Sequence, residues 1–431
     1  MGTTAFRGAR LLLPVALCLL AASPVVAETQ ALSLRQAVET ALSNNPDITS
    51  LRKEAGIFDA ASLRAGLLPN PTLEVEGATG ALTGSSADNT LSLGISQELL
   101  LGDKRNKRSL VAERDMAAYR WQVLDRERTL KEQVQGAYYD ALLAGQRLAL
   151  AYRSIDLNKQ LLQVAEDRLN AGDIPELEMY LVQVELARSE GARIDIDRAY
   201  LESSSRLFSL LALPHGEAPL LNGSLDAWTF KVANLADLKR LALNRRPDLK
   251  AVDAAASKGD AEVALAEAEA IPNLTAGVAL SREASSMEIG GVEGRETAYT
   301  VGLKFSMPIP LFDRNRAGVQ EARAKRSSAE IRAKAAAVTV EREVESAWAS
   351  LANAEKVVSL YKSSILRQLE ENLTLTQEAY RLGEVGILAV IEEQKKFFEV
   401  SDSYLTALHA RQMAMAKLES AVAADMNGGE Q

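Results

Sequence analysis

Between Gly318 and Gly383 lie 64 residues that include neither glycine nor proline, and this run constrains the fold more than any other feature of the chain. Glycine and proline are the residues that most readily end a helix. Without them the segment reads as one helix of about 95 Å at 1.5 Å per residue, far longer than an ordinary globular domain is wide. The run stops at Tyr380-Arg381-Leu382-Gly383-Glu384-Val385-Gly386, whose glycines supply the left-handed backbone of a helix end, and a second glycine-free stretch returns from Ile387. The expectation is a long antiparallel helical hairpin over 313–424. On its returning arm Ile387, Leu408, Met415 and Val422 share one phase of a seven-residue repeat, and Ile391, Phe398 and Leu405 share a second. Gln394, Ser401, Gln412 and Glu419 interrupt this coiled-coil seam.

Residues 1–27 read as a secretory signal peptide: Arg7 and Arg10 precede an apolar run from Leu11 to Leu20, and Val25-Val26-Ala27 offers small residues for cleavage. The run is too short to cross a bilayer, which takes about 20 residues. Cys18 follows Leu17, where a lipoprotein signal places a small residue, so lipid attachment is not expected. Loss of the segment removes the one cysteine, and with it any disulfide or thiolate metal site. It also leaves 47 basic against 58 acidic residues, which argues against a nucleic-acid partner. No later stretch reaches 18 consecutive apolar residues. A spanning helix is thereby excluded, but not a spanning β-barrel, whose signal is alternation.

The chain is a tandem duplication. Ala41-Leu42-Ser43-Asn44-Asn45-Pro46-Asp47-Ile48 matches Ala242-Leu243-Asn244-Arg245-Arg246-Pro247-Asp248-Leu249, Pro69-Asn70 matches Pro272-Asn273, Asp103 matches Asp313, and Gly172 matches Gly383. Each copy opens with a short amphipathic helix and a second helix that begins at Pro-Asp, where proline forfeits no hydrogen bond. Near Pro69 and Pro272 the period changes from 3.6 to 2. Leu73 and Val75, then Leu91, Leu93 and Ile95, alternate with polar or small residues. So do Leu274, Ala276, Val278 and Leu280, then Tyr299, Val301, Leu303, Phe305 and Met307. These are two hairpins, with Ala78 to Asn89 and Ser281 to Thr297 as exposed connections. One reading lays the apolar face on the helices. The other makes each strand, at about nine residues, a bilayer crossing with a wet opposite face that includes Lys304. Four strands cannot close a barrel, so it would be shared: two copies give eight strands, three give twelve.

The resulting division is 28–68 (helices of the first copy), 69–102 (hairpin), 103–213 (long helical hairpin, tip 171–176) and 214–234 (connector, with a short strand at Trp228 to Lys231). The second copy follows as 235–271, 272–312 and 313–424 (tip 383–386), and 425–431 reads as a disordered tail. Chemistry is sparse. His215 and His409 lack companions at metal-ligand spacing, no nucleophile or phosphate loop is present, and neither a catalytic site, a metal site nor a cofactor is expected. The charged groups of interest are Asp173, Glu176 and Glu178 after Gly172, and Glu384, Glu392 and Glu393 after Gly383. Copied about a symmetry axis such residues form a ring that favours cations; in one chain they are a solvated helical face.

Over essentially the whole of 28–431 the residues resemble the TolC-like outer-membrane efflux proteins. The resemblance rests on the duplication, on Leu34-Arg35-Gln36-Ala37 to Asn45-Pro46-Asp47, and on the paired tips Arg168-Leu169-Asn170-Ala171-Gly172 and Tyr380-Arg381-Leu382-Gly383. Leu68-Pro69-Asn70-Pro71, the stretch from Gln97 to Arg105 and that from Pro308 to Arg316 are similar to the cobalt-zinc-cadmium branch. The resemblance implies a mainly α fold with β: a homotrimer whose four strands per protomer make a twelve-stranded β-barrel in the outer membrane, continued by a long periplasmic α-helical coiled-coil barrel. It implies outer-membrane lipid around the barrel, a periplasmic adaptor at tip residues Arg168, Gly172, Arg381 and Gly383, and an inner-membrane resistance-nodulation-division pump. It also implies a periplasmic aperture gated at Glu178, Tyr380 and Glu392. Val385 and Ala389 stand where family members carry an arginine and an aspartate, so the lock would be weaker or built differently. The expected function is a passive exit duct of a tripartite efflux system, for divalent heavy-metal cations. The alternatives are a multidrug or type I secretion channel of the same fold, and, from another class, a non-transporting envelope tether.

Overall fold

A computed structural model describes residues 31–82, 86–213, 219–227 and 234–426. The signal segment with Cys18, His215, the strand expected at Trp228 to Lys231 and tail residues 427–431 lie outside these. In chain order the elements are α1 (Leu34–Asn44), α2 (Pro46–Gly66), β1 (Thr72–Thr79), β2 (Asn89–Leu99), α3 (Lys104–Asn170), α4 (Glu176–Leu210), α5 (Leu235–Arg245), α6 (Pro247–Glu269), β3 (Leu274–Ile289), β4 (Val292–Ser306), α7 (Arg316–Leu360), a π-helical turn (Tyr361–Ile365), α8 (Leu366–Arg381) and α9 (Ile387–Val422).

The α1–α2 corner is set by local chemistry. Ser33 and Gln36 form a capping box on α1, and the Asn45 side chain accepts from the amides of Asp47 and Ile48 to start α2. In the second copy Arg246 occupies the Asn45 position and makes no cap bond; it forks onto Asp248 instead, at 2.9 and 2.6 Å. The 67-residue α3 is about 100 Å long. Both long rods begin after a residue in the left-handed region, Asp103 (φ 60°) and Asn315 (φ 55°). The structural counterpart of Asp103 is therefore Asn315, two residues beyond the Asp313 of the sequence match. Asp313 turns the chain into it by accepting from the Asn315 amide at 2.8 Å.

The second rod differs from the continuous helix expected: one π-helical turn interrupts it at Tyr361–Ile365. A π turn needs no glycine or proline, so composition hides it. Lys362 there pairs with Asp226 at 2.5 Å, and the Tyr361 ring lies 5.9 Å from that of Tyr404.

The strands form one antiparallel sheet in the order β1-β2-β3-β4, the two hairpins joining through β2 and β3. The stretch read as a loop at Ser281 to Thr297 is largely strand. β3 and β4 continue through it to a tight turn at Gly290 and Gly291, both at positive φ, because a hairpin pairs through its backbone even where its side chains are polar. The register puts Leu73, Val75, Leu93, Ile95, Val278, Leu280, Val301, Leu303 and Phe305 on one face, and all of them are exposed. The apolar face is not laid on the helices. An exposed apolar sheet face of this extent, beside long polar-surfaced helices, belongs in lipid. None of the described helices is long and apolar enough to cross a membrane.

The helices carry their own cores in layers. The largest gathers Val134, Tyr138, Ala141 and Leu142 of α3 with Ala37 and Ala41 of α1, Leu207 of α4, Leu225 and Leu408. Tyr138 donates toward the carbonyls of Leu32 (3.1 Å) and Asn222 (2.8 Å), pinning a short parallel bridge between Leu32 and Leu221. A second layer joins Leu238 and Leu249 to Val340, Val344 and Ala347 of α7 and to Met415 and Leu418 of α9. The last layer closes the tips around Leu161, Ala165, Ile174, Val182, Tyr380, Ile387, Val390 and Ile391.

Candidate functional site

The two tips end in the same way. Gly172 (φ 82°) donates to the Leu169 carbonyl and Asp173 to that of Arg168; Gly383 (φ 80°) donates to Tyr380 and Glu384 to Ala379. Each is a Schellman closure, which demands a left-handed residue one past the helix. Three residues beyond each glycine then lead into α4 and α9, so the functional candidates sit on or beside rigid helix ends.

Arg168 joins the tips. Its guanidinium donates to the Tyr380 carbonyl at 2.8 Å and lies over the Tyr380 ring, 4.7 Å from the centroid. A Cβ added to Gly383 would come within 3.4 Å of the same guanidinium. Tyr380 is 1 % exposed, and its hydroxyl is buried beside Glu178 and Arg168 with no well-formed hydrogen bond among the described residues. A carboxylate oxygen of Glu178 is in the same condition. Burial pushes the Tyr380 hydroxyl above its usual pKa, the negative charge of Glu178 adds to this, and the Arg168 guanidinium partly offsets it. The phenol is therefore neutral throughout the physiological range, a polar group held beside a carboxylate.

The structure thus brings together Arg168, Glu178 and Tyr380, from three different helices. It does not bring Glu392 to them: that side chain is exposed on α9. Gly172, Gly383 and Arg381 are exposed as well, Arg381 pairing only with its neighbour Glu378 at 3.2 Å. Val385 packs into the tip core, while Ala389 is exposed. The guanidinium beside Tyr380 comes from the opposite hairpin, through Arg168.

Of the other polar residues on α4 and α9, the sequence singles out Glu393 and Gln394, but sequence reasoning missed Glu185. Gln394 is 3 % exposed, Glu393 keeps one buried oxygen without a hydrogen-bond partner, and Glu185 joins α4 to α9 through Lys395 at 3.3 Å. The available signal was spacing: Glu185 is seven residues beyond Glu178, the same phase of the helical seam. Among the described residues no group of three or more His, Cys, Asp or Glu could hold a metal ion. His409 contacts Asp140 at 2.8 Å, linking α9 to α3.

The sequence matches the family model "Outer membrane efflux protein" over residues 37–213 and 238–424. It is similar to the cobalt-zinc-cadmium resistance protein CzcC of Cupriavidus metallidurans, 24% identical over 380 residues and covering 88% of this chain and 86% of CzcC. The nickel-cobalt-cadmium resistance protein NccC of Alcaligenes xylosoxydans xylosoxydans is 27% identical over 329 residues, 74% of this chain and 70% of NccC. A crystal structure of CusC superposes with a TM-score of 0.73 at 18% identity, covering 91% of this chain and 92% of that one.

Proposed function

Because the chain belongs to the outer membrane efflux protein family, we propose that it is the passive exit duct of a tripartite exporter of divalent heavy-metal cations. In this reading three copies close a twelve-stranded barrel, an inner-membrane resistance-nodulation-division pump supplies the energy, and a periplasmic adaptor contacts the turns at Gly172 and Gly383 and the exposed Arg381. Arg168, Tyr380 and Glu178 hold the periplasmic end shut, and Glu392 of each copy contributes a carboxylate to the aperture.

The observation that carries the duct is the four-stranded sheet. Its apolar face is exposed, and among the described residues its outer strands β1 and β4 each pair with one neighbour only, so closure requires strands from other copies. The metal substrate rests on the likeness to CzcC and NccC, proteins named for resistance to cobalt, cadmium, zinc and nickel. The test is growth of a strain lacking this gene on graded cobalt, zinc and cadmium, with drugs assayed in parallel. Lowered metal tolerance with unchanged drug tolerance is expected; lowered drug tolerance with unchanged metal tolerance would overturn the metal reading.

A further inference from the structure

The polar face of the sheet carries one ion pair whose geometry is unusual. Glu74 lies on β1 and Lys304 on β4, the two outermost strands, yet their side chains meet at 2.9 Å. On a flat sheet three strand spacings would separate these strands by about 14 Å. The register adds a further offset, since Glu74 pairs across with Gly94 and Ala279 whereas Lys304 pairs with Gly277 and Ser96. The sheet therefore curls toward this face, and the pair crosses the hollow like a strut.

What lies beneath the strut explains how it fits. Gly94, Ser96, Gly277 and Ala279 floor the hollow with small residues. A Cβ at Gly277 would meet the Ser96 Cβ at 2.9 Å, so this floor admits nothing larger. Ser96 itself donates to the other Glu74 oxygen at 2.9 Å, which fixes the carboxylate from below.

The charge on this face is lopsided. By register Glu74, Glu76, Glu98, Glu283 and Glu296 all point to the concave side, and Lys304 is its one base among the described residues. Fixed charges in a narrow aqueous passage set the local concentration of permeant ions, and one charge per protomer is repeated by symmetry. From the strut and its setting we propose that Lys304, held over the concave face of its own sheet by Glu74, is the residue that tunes the ion preference of the barrel. It cancels Glu74 and leaves the remaining carboxylates to favour cations. This rests on the duct reading above.

The experiment is the reversal potential of the purified full-length protein in planar bilayers under a potassium chloride gradient. Lys304→Met is expected to raise the cation-to-anion permeability ratio about twofold, and Glu74→Gln to lower it by a similar factor. The exchange of the two, Glu74→Lys with Lys304→Glu, keeps both the charge and the pair and is expected to return the wild-type value. Wild-type reversal potentials in all three variants, with conductance intact, would overturn the role of Lys304 while leaving the duct standing. A wild-type protein that conducts nothing would overturn the duct and this role with it.

Discussion

Arg168→Ala is expected to open the periplasmic end. The substitution removes a charge-assisted hydrogen bond to the Tyr380 carbonyl and a cation–π contact with its ring, two of the interactions that tie the first tip to the second. Together these are worth about 2 kcal/mol at a half-buried position, which shifts a closed-to-open equilibrium roughly 30-fold. The readout is open probability in planar bilayers. Tyr380→Phe separates the causes, because it deletes only the hydroxyl beside Glu178 and leaves the ring and carbonyl for Arg168; its effect is expected to be much smaller. An Arg168→Ala channel with wild-type open probability would remove the tip junction from the gating account.

Arg246→Ala is expected to cost more in stability than any other single change at the helical corners. Arg246 is 4 % exposed and reaches Asp248 through two bonds, Glu343 at 2.5 Å and the Ala421 carbonyl at 3.3 Å, joining the α5–α6 corner to α7 and α9. Truncation leaves the Asp248 and Glu343 carboxylates without their cation; because these are 32% and 49% exposed, solvent screening reduces the loss to about 1–3 kcal/mol. Arg246→Asn installs the residue that caps the equivalent corner at Asn45. It recovers about 1 kcal/mol of capping but not the charge. Burial alone would raise the Asp248 carboxyl, but the Arg246 fork and its charge outweigh this and hold it below its ordinary value of 3.8. A depressed acid stabilises the fold above its unfolded pKa and ceases to do so as pH falls through the folded one. The deficit of Arg246→Ala should therefore be full at pH 7 and shrink below pH ~4. Thermal unfolding followed by circular dichroism in detergent is expected to show a midpoint about 5 °C lower at pH 7. Equal midpoints for variant and wild type at pH 7 would contradict this.

The architecture was legible in the sequence because it depends on long-range composition. A run without glycine or proline, two glycine-marked turns and strict alternation in four strands require no knowledge of packing, and the family match and the likeness to CusC bear out that fold class. What escaped was local. The π turn at Tyr361–Ile365 leaves no compositional trace, and the extension of β3 and β4 to Gly290 and Gly291 is written in residues that read as loop. The tip illustrates a different limit. Periodicity can bring Glu178 and Tyr380 to helix ends, but which nitrogen lies over the Tyr380 ring depends on how two hairpins 212 residues apart are docked. The guanidinium at Tyr380 belongs to Arg168, on the other hairpin, and only the packed structure connects them.

The central claim is that this chain is one share of a closed tube, because among the described residues β1 and β4 each lack a second partner and the apolar sheet face is exposed. The mass of the detergent-extracted protein, with bound detergent subtracted by light scattering, tests it most directly. The account predicts three copies per particle; a particle of one copy would contradict it.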